Sequence, residues 1–237
     1  MEFDVSVPRI EPVRSRAELR VGSVPTAEVR LFGLPRGAAL LLCERGGLDT
    51  QAPELMNALA EHGYESLAVD LAELDLDDQG LLTAVHGLLG VLGEQGWSHD
   101  QIGVVGYGLG GRAALVAACD LVLGATVSLS PRAALEVDDP LVRSPWLAMF
   151  GEHDPDMPPA AVAELERRAA PAPEYAHLVV YPGVGADFFR ASAGSLGHAA
   201  AFDSWQRVVE WLNIRVVPRP SPYAERWADR LQTSSAG

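Results

Sequence analysis

The feature that most restricts how this chain can fold is a glycine-rich turn in the middle of the sequence. The apolar residues 102–105 run directly into segment 106–110, which reads Gly-Tyr-Gly-Leu-Gly, and residues 110–119 follow with a helical pattern. A buried strand that turns sharply into a helix is the repeating step of a parallel α/β sheet. The turn therefore predicts an α/β protein.

The same alternation of apolar runs and helical segments extends along most of the chain. The predicted strands are residues 38–43, 65–69, 101–105, 125–129, 145–150 and 177–181. The predicted helices are residues 52–62, 80–94, 110–119, 159–169 and 198–212. Because each predicted strand is an almost continuous apolar run, the sheet is expected to be buried on both faces. Residues 20–34, with the turn formers Gly22, Ser23 and Pro25, predict an antiparallel pair at one edge.

No linker or internal repeat divides this pattern, so residues 1–237 are predicted to form a single domain. Its fold class is α/β, with a mostly parallel sheet of about seven or eight strands and helices on both faces. The segment 218–237 is rich in Pro and Ser, which predicts a flexible C-terminal tail with one short amphipathic piece near residues 223–231.

Composition and charge exclude several classes of partner. The net charge of −14 is unfavourable for binding nucleic acid, because phosphates require a basic surface. No apolar run approaches the roughly 20 residues that span a bilayer. The N-terminal residues also lack the pattern of a secretory signal. We therefore expect a cytoplasmic protein without a membrane segment.

Neither a metal site nor a reactive cysteine is predicted from the acidic run at residues 70–78 or from the two cysteines. The run fits a metal-binding loop or a solvated loop after a strand, and the lack of a calcium-loop glycine and terminal glutamate favours the solvated loop. Cys43 and Cys119 are too few for a disulfide framework, and each lies in an apolar stretch typical of a buried residue. Cys43 has no neighbouring histidine that would make it a thiolate. We expect neither a metal nor a cofactor.

The glycine-rich turn is compatible with two kinds of site. One is a nucleophile elbow, G-x-nucleophile-x-G, in which Gly108 stands at the nucleophile position. The other is a dinucleotide-binding fingerprint made of Gly106, Gly108 and Gly111, with Asp120 available for a ribose. The fingerprint match is weak, because the segment lies in the middle of the chain rather than in a first βαβ unit.

Four segments decide in favour of the elbow, because they resemble the dienelactone hydrolase family of α/β-hydrolases in order and spacing. They are residues 38–70, 101–118, 145–158 and 179–189. The resemblance implies the α/β-hydrolase fold and a site that hydrolyses esters or lactones with a catalytic triad. It places the nucleophile position at Gly108, the triad acid at Asp154 and the histidine position at Ala186. The chain therefore retains the acid and lacks the other two groups.

The resemblance also implies a binding pocket around the vacant positions. The backbone N–H groups of Leu109 and Arg45 take the oxyanion-hole positions, and Glu44 matches the family glutamate that pairs with the nucleophile. Arg190 matches an arginine that holds the substrate carboxylate, whereas Leu74 stands where a second arginine is expected. Two alternatives remain open. Glu44 is also compatible with a solvent-exposed ion pair with Arg45, which we disfavour, and Arg190 with a surface position.

Other side chains near the turn are weaker candidates. Asp187 would bring a second carboxylate towards Glu44, so that the two acids share a proton, although facing solvent or capping a helix is the simpler role. Tyr107 is expected to serve mainly in packing. The side chain of His153 is expected to point away from that of Asp154.

The leading functional hypothesis is a non-hydrolytic homologue that binds a small carboxylate or carbonyl-bearing ligand, or a protein partner. The rival hypothesis is an enzyme of altered chemistry in which Glu44, Asp154 or Asp187 transfers protons. Ordinary ester or lactone hydrolysis requires residues that the sequence lacks. The fold class alone does not choose among these hypotheses.

Overall fold

The centre of the structure is one eight-stranded β-sheet. The computed structural model describes residues 9–138, 140–169, 176–221, 223–224 and 226–227. In chain order the strands are Val13–Leu19 (β1), Gly22–Val29 (β2), Gly37–Cys43 (β3), Tyr64–Asp70 (β4), Ile102–Tyr107 (β5), Ala125–Leu129 (β6), Trp146–Gly151 (β7) and Ala176–Tyr181 (β8). Their order across the sheet is β1-β2-β4-β3-β5-β6-β7-β8.

The strand directions confirm the mostly parallel sheet that the sequence predicts. From β4 through β3 to β8, all neighbours pair in parallel, whereas β1 pairs antiparallel with β2, and β2 antiparallel with β4. An antiparallel edge pair exists, but its predicted position within residues 20–34 was wrong, because β1 lies before that range. The hairpin turns at Arg20 and Val21, and Gly22, Ser23 and Pro25 already belong to β2. Gly22 has a φ of +134° at the start of β2, so its conformational freedom is used directly after the turn.

Helices cover both faces of the sheet, as predicted. They are Gly47–Thr50 (α1), Ala52–Glu61 (α2), Asp78–Glu94 (α3), Leu109–Asp120 (α4), Pro159–Ala169 (α5) and His198–Arg215 (α6). Leu41 of β3 packs in a core with α2 and α6, whereas Leu40 and Leu42 pack with α3 and α4. Successive side chains of a strand point to opposite faces, so β3 contributes to both cores.

Within the part of the chain that the structure describes, no helix combines the length and the apolar character needed to span a bilayer.

The segment that follows α6 is anchored at its beginning. The N–H of Val217 donates to the carbonyl oxygen of Asp100 at 2.9 Å. The guanidinium of Arg219 lies 3.8 Å from the ring centroid of Trp97, which is a cation–π contact. Residues 222, 225 and 228–237, which include much of the predicted flexible tail, lie outside the described residues.

Two glycines allow β3, β5 and α4 to approach one another closely. A Cβ on Gly106 would overlap the carbonyl oxygen of Gly110 and lie 2.7 Å from the nitrogen of Gly111. A Cβ on Gly110 would overlap the carbonyl oxygen of Leu42 and lie 2.6 Å from its carbonyl carbon. The end of β3 therefore lies against the first turn of α4. This contact places Glu44, which follows β3, beside the turn between β5 and α4.

We expect Gly110→Ala to lower the free energy of unfolding by about 1–3 kcal/mol or more, because the methyl group would overlap backbone atoms of Leu42. Gly90→Ala is the matched control. Gly90 lies on the exposed side of α3 with no atom within 4 Å of an added Cβ, and alanine there should raise the free energy of unfolding by about 0.5–1 kcal/mol. Urea unfolding measured by circular dichroism tests both variants. Equal effects would contradict the close contact between β3 and α4.

Candidate functional site

The turn between β5 and α4 places Gly108, the predicted nucleophile position, in a backbone conformation that favours glycine. Gly108 has a φ of +54° and a ψ of −111°. Its N–H donates to the carbonyl oxygen of Leu129 at 3.0 Å, and its carbonyl oxygen accepts from the N–H groups of Arg112 and Arg132 at 3.0 and 3.1 Å. Residues with a side chain rarely adopt such a positive φ. Glycine therefore relieves a strain that a nucleophile at this position would bear.

The side chain of Glu44 fills the space above Gly108. An ideal Cβ on Gly108 would overlap Oε1 of Glu44 and would lie 2.6 Å from its Cδ. The Glu44 side chain is only 16% exposed, so its carboxylate is largely enclosed by protein. The carboxylate thus occupies the volume in which the side chain of a nucleophile would begin.

Two arginines hold the Glu44 carboxylate in that place. Nη2 of Arg190 pairs with Oε2, and Nη2 of Arg132 lies 3.4 Å from Oε1. Nη1 of Arg190 also lies 3.7 Å from Oδ1 of Asp187, whose side chain is largely exposed. The formal charges of these four groups sum to zero, which lowers the electrostatic cost of enclosing Glu44. Asp187 therefore reaches Glu44 only through the intervening Arg190.

A buried carboxylate, that of Asp70, positions the loop that carries Glu44. Oδ2 of Asp70 accepts from the N–H of Gly46 at 2.8 Å, and Oδ1 accepts from the N–H of Ala72 at 2.9 Å. Nη2 of Arg45 donates to the carbonyl oxygen of Ala72. The alternative ion pair between Glu44 and Arg45 is therefore wrong, and the enclosed position of Glu44 agrees with the pocket interpretation.

The prediction that residues 70–78 form a solvated loop is wrong for Asp70, whereas Asp77 is exposed and Asp78 is half-buried at the start of α3. Asp70 is buried. Asp77 caps the N-terminus of α3 by accepting from the N–H of Gly80 at 2.8 Å, and Asp78 pairs with Arg112 through two hydrogen bonds of 2.6 and 3.0 Å. An aspartate just before a helical pattern is a capping signal, and it could have identified Asp77. In the described ranges, no group of three His, Cys, Asp or Glu side chains is placed to hold a metal ion.

The loop after β6 contributes two residues that the sequence analysis missed. Ser130 has a φ of +42°, and its Oγ donates to the carbonyl oxygen of Ala186 at 2.7 Å. Arg132 reaches back to Glu44. Both residues follow the carboxyl end of a parallel strand, where α/β sheets bind ligands, and this position is the signal that could have found them.

The loops after β7 and β8 bring the acid and histidine positions into one region. The N–H of His153 donates to the carbonyl oxygen of Val184 at 2.9 Å, which ties the two loops together. Asp154 is 4% exposed, and its Oδ1 accepts from the N–H of Asp156 at 3.0 Å. The side chain of His153 is exposed, so it points away from that of Asp154, as expected. The Asp154 carboxylate is thus hydrogen-bonded within its own loop.

The predicted site residues divide between two cavities. The larger, which we call the aromatic cavity, has a volume of about 420 Å³ and is lined by residues that include Tyr107, Leu129, Phe189, Arg190 and Trp205. The smaller, which we call the loop cavity, has a volume of about 320 Å³. Glu44, Arg45, Leu74 and Leu109 are among the residues that line the loop cavity. Asp154, Ala186 and Asp187 belong to the lining of neither.

Burial keeps two groups near the turn in their protonated forms. Burial, together with the nearby Cys43 thiol, raises the pKa of the Tyr107 hydroxyl far above its usual range. Burial, followed by the Asp70 carboxylate, raises the pKa of Cys43 to about 12. A thiol with such a pKa is not a nucleophile at neutral pH.

Parts of the sequence are similar to known proteins. Residues 78–215 match the family model described as the dienelactone hydrolase family. A stretch of 90 residues is 30% identical to a candidate carboxymethylenebutenolidase of Salmonella typhimurium, covering 38% of this chain and 33% of that protein. A stretch of 82 residues is 30% identical to a candidate carboxymethylenebutenolidase of Escherichia coli, covering 35% of this chain and 30% of that protein. The matched stretches span about a third of these relatives.

Solved structures share the fold at low sequence identity. A candidate dienelactone hydrolase from Klebsiella pneumoniae superposes with a TM-score of 0.69 at 18% identity, covering 86% of this chain and 99% of that chain. A 2,6-dihydroxy-pseudo-oxynicotine hydrolase superposes with a TM-score of 0.70 at 19% identity, covering 90% of this chain and 69% of that chain. The chain therefore has the α/β-hydrolase fold.

We expect iodoacetamide at about pH 8 to leave Cys43 unmodified in the folded protein, because a buried thiol with a raised pKa carries almost no thiolate. Peptide mass spectrometry measures the modified fraction. The control is the same protein in urea, where Cys43 regains an ordinary pKa and should be alkylated. Rapid alkylation of Cys43 in the folded protein would instead identify it as a replacement nucleophile.

Proposed function

We propose that this chain, which belongs to the dienelactone hydrolase family, binds a small ligand without hydrolysing it. One observation carries the proposal. The Glu44 carboxylate lies over Gly108 in the space that a nucleophile would need, and it is held there by Arg132 and Arg190. The vacancy left by the nucleophile is thus filled from within the protein.

Triad chemistry needs a nucleophile, a base that takes its proton, and an acid that orients the base. Gly108 has no side chain to acylate, and the methyl group of Ala186 cannot accept a proton. Asp154 remains, but its carboxylate bonds to the N–H of Asp156. Acyl transfer would therefore lack two of its three groups.

The two cavities support binding of a small carboxylate or carbonyl compound. Leu109 and Arg45 line the loop cavity beside the N-terminus of α4, where backbone N–H groups and the helix dipole favour an anion or a carbonyl oxygen. Arg190 lines the aromatic cavity. A protein partner is the alternative ligand. We also propose a cytoplasmic location with no nucleic-acid or membrane partner, because the composition is acidic and no apolar run is long enough to span a bilayer.

The positions of the acids disfavour the rival hypothesis of proton transfer by carboxylates. Two acids share a proton when they are in direct contact. Arg190 lies between Glu44 and Asp187 and pairs with both, so the two acids are not in direct contact. Asp154 is bonded to its own loop.

We expect the wild-type protein to hydrolyse p-nitrophenyl acetate no faster than about 10³-fold over the buffer rate, the residual catalysis that an oxyanion hole gives without a triad. Release of p-nitrophenolate measures the rate, and an active dienelactone hydrolase at equal concentration is the control. Intact-mass spectrometry during turnover should show no acyl adduct. A burst of product with a stoichiometric adduct would overturn the proposal.

We expect Gly108→Ser to lower the free energy of unfolding by about 1–3 kcal/mol, because the new side chain meets both the positive φ and the Glu44 carboxylate. In a Glu44→Ala background, the same substitution should cost less, since only the backbone strain remains.

Gly183→Ser is the control for this cycle, because Gly183 has a φ of +71° but no atom within 4 Å of an added Cβ. Its effect should be equal in both backgrounds. If Gly108→Ser also costs the same in both, measured by urea unfolding, Glu44 does not occupy the nucleophile position.

A further inference from the structure

The aromatic cavity has the volume and the apolar walls of a site for a small, mainly apolar molecule. Its volume of about 420 Å³ lies in the range of small-molecule sites. Apolar side chains from α2, β6 and α6 form much of its wall, including Leu55, Leu129, Trp205 and Val208. The Phe189 ring closes one side and lies 4.9 Å from the ring of Tyr107.

The Tyr107 hydroxyl is available to a molecule in this cavity. Tyr107 is 3% exposed, lines the cavity and packs its ring against that of Phe189. Among the described residues, its Oη makes no side-chain hydrogen bond, and it is not one of the unpartnered side-chain atoms that are sealed from solvent. The hydroxyl is therefore an accessible donor, and a ligand oxygen in the cavity would be its acceptor.

The hydroxyl acts as a donor, because burial raises the pKa of Tyr107 and keeps its proton in place. Tyr181, the last residue of β8, provides a contrast. Its Oη already donates to Oδ2 of Asp203 at 2.7 Å, so it has no free donor for a ligand.

The charges around the cavity favour an uncharged ligand. Arg190 lines the cavity. Its guanidinium is already paired with Glu44 and Asp187. Glu54, which also lines the cavity, pairs with Arg9 at 3.1 Å. An anion would have to compete with Glu44 for Arg190 and would itself lose hydration on entering an apolar space.

We propose that the aromatic cavity binds an uncharged, flat, apolar compound that bears a hydrogen-bond-accepting oxygen, and that Tyr107 is the residue that binds this oxygen. The inference rests on the proposed function, since it identifies the ligand class and a specificity-determining residue for the same site. It assigns to Tyr107 a binding role beyond the packing that the sequence predicts.

Three naphthalenes of matched shape test the inference by calorimetry or fluorescence titration near neutral pH. They are 2-acetylnaphthalene, which has an uncharged acceptor, 2-naphthoate, which is an anion, and 2-isopropylnaphthalene, which has no acceptor. We expect the wild-type protein to bind the ketone about threefold to tenfold more tightly than the hydrocarbon, the effect of one net hydrogen bond. The ketone should also bind more tightly than the naphthoate.

Tyr107→Phe should abolish the preference for the ketone over the hydrocarbon and leave the affinity for the hydrocarbon unchanged. Tyr181→Phe is the matched control, because it removes a hydroxyl that is already bonded to Asp203, and it should keep the preference. If Tyr107→Phe fails to fold, the comparison of the three ligands on the wild-type protein still decides.

Three results would overturn the inference: tighter binding of the naphthoate, an unchanged ketone preference in Tyr107→Phe, or no binding of any of the three up to about 1 mM. These outcomes differ from failure of the proposed function. That failure would appear as an acyl adduct and ester turnover, which are measured separately from ligand affinity.

Discussion

The carbonyl group of Leu42, at the end of β3, packs directly against Gly110 in the first turn of α4, where a methyl group would not fit. Because β5 leads into the same helix, this contact holds the end of β3, the turn at Gly108 and the start of α4 together. Glu44 follows Leu42 by two residues, so this contact places the Glu44 side chain beside the turn at Gly108. The geometry of the site therefore depends first on the close backbone packing that Gly110 allows.

A carboxylate enclosed beside that turn needs compensating charge. Arg132 and Arg190 supply it from the loops after β6 and β8, and the hydroxyl of Ser130 ties the first of these loops to Ala186 of the second. Around Gly108 and Ala186, the charged groups thus satisfy one another. The hydroxyl of Tyr107, by contrast, makes no side-chain hydrogen bond to the described residues, and Tyr107 lines the aromatic cavity.

The strands and helices with strong local sequence patterns were predicted correctly. The predicted strand at residues 125–129 and the predicted helix at residues 159–169 coincide with β6 and α5, because a short buried apolar run and an amphipathic pattern are both local. The turn of the edge hairpin was misplaced, since Gly22 and Pro25 are turn formers that here lie within β2. The acidic run was misread because charge was taken as a sign of solvation, whereas Asp70 is buried with two N–H donors.

Local sequence was sufficient for the α/β class, because apolar periodicity is a property of short segments. The α/β-hydrolase fold was implied by the resemblance of four segments to the dienelactone hydrolase family. Tertiary structure decided that Glu44 takes the place of the nucleophile between Arg132 and Arg190, which are 88 and 146 residues away along the chain. It also divided the predicted site residues between two cavities. Such placements depend on which distant loops meet and on how much volume remains between them, and neither quantity is contained in the order of residues within any one segment.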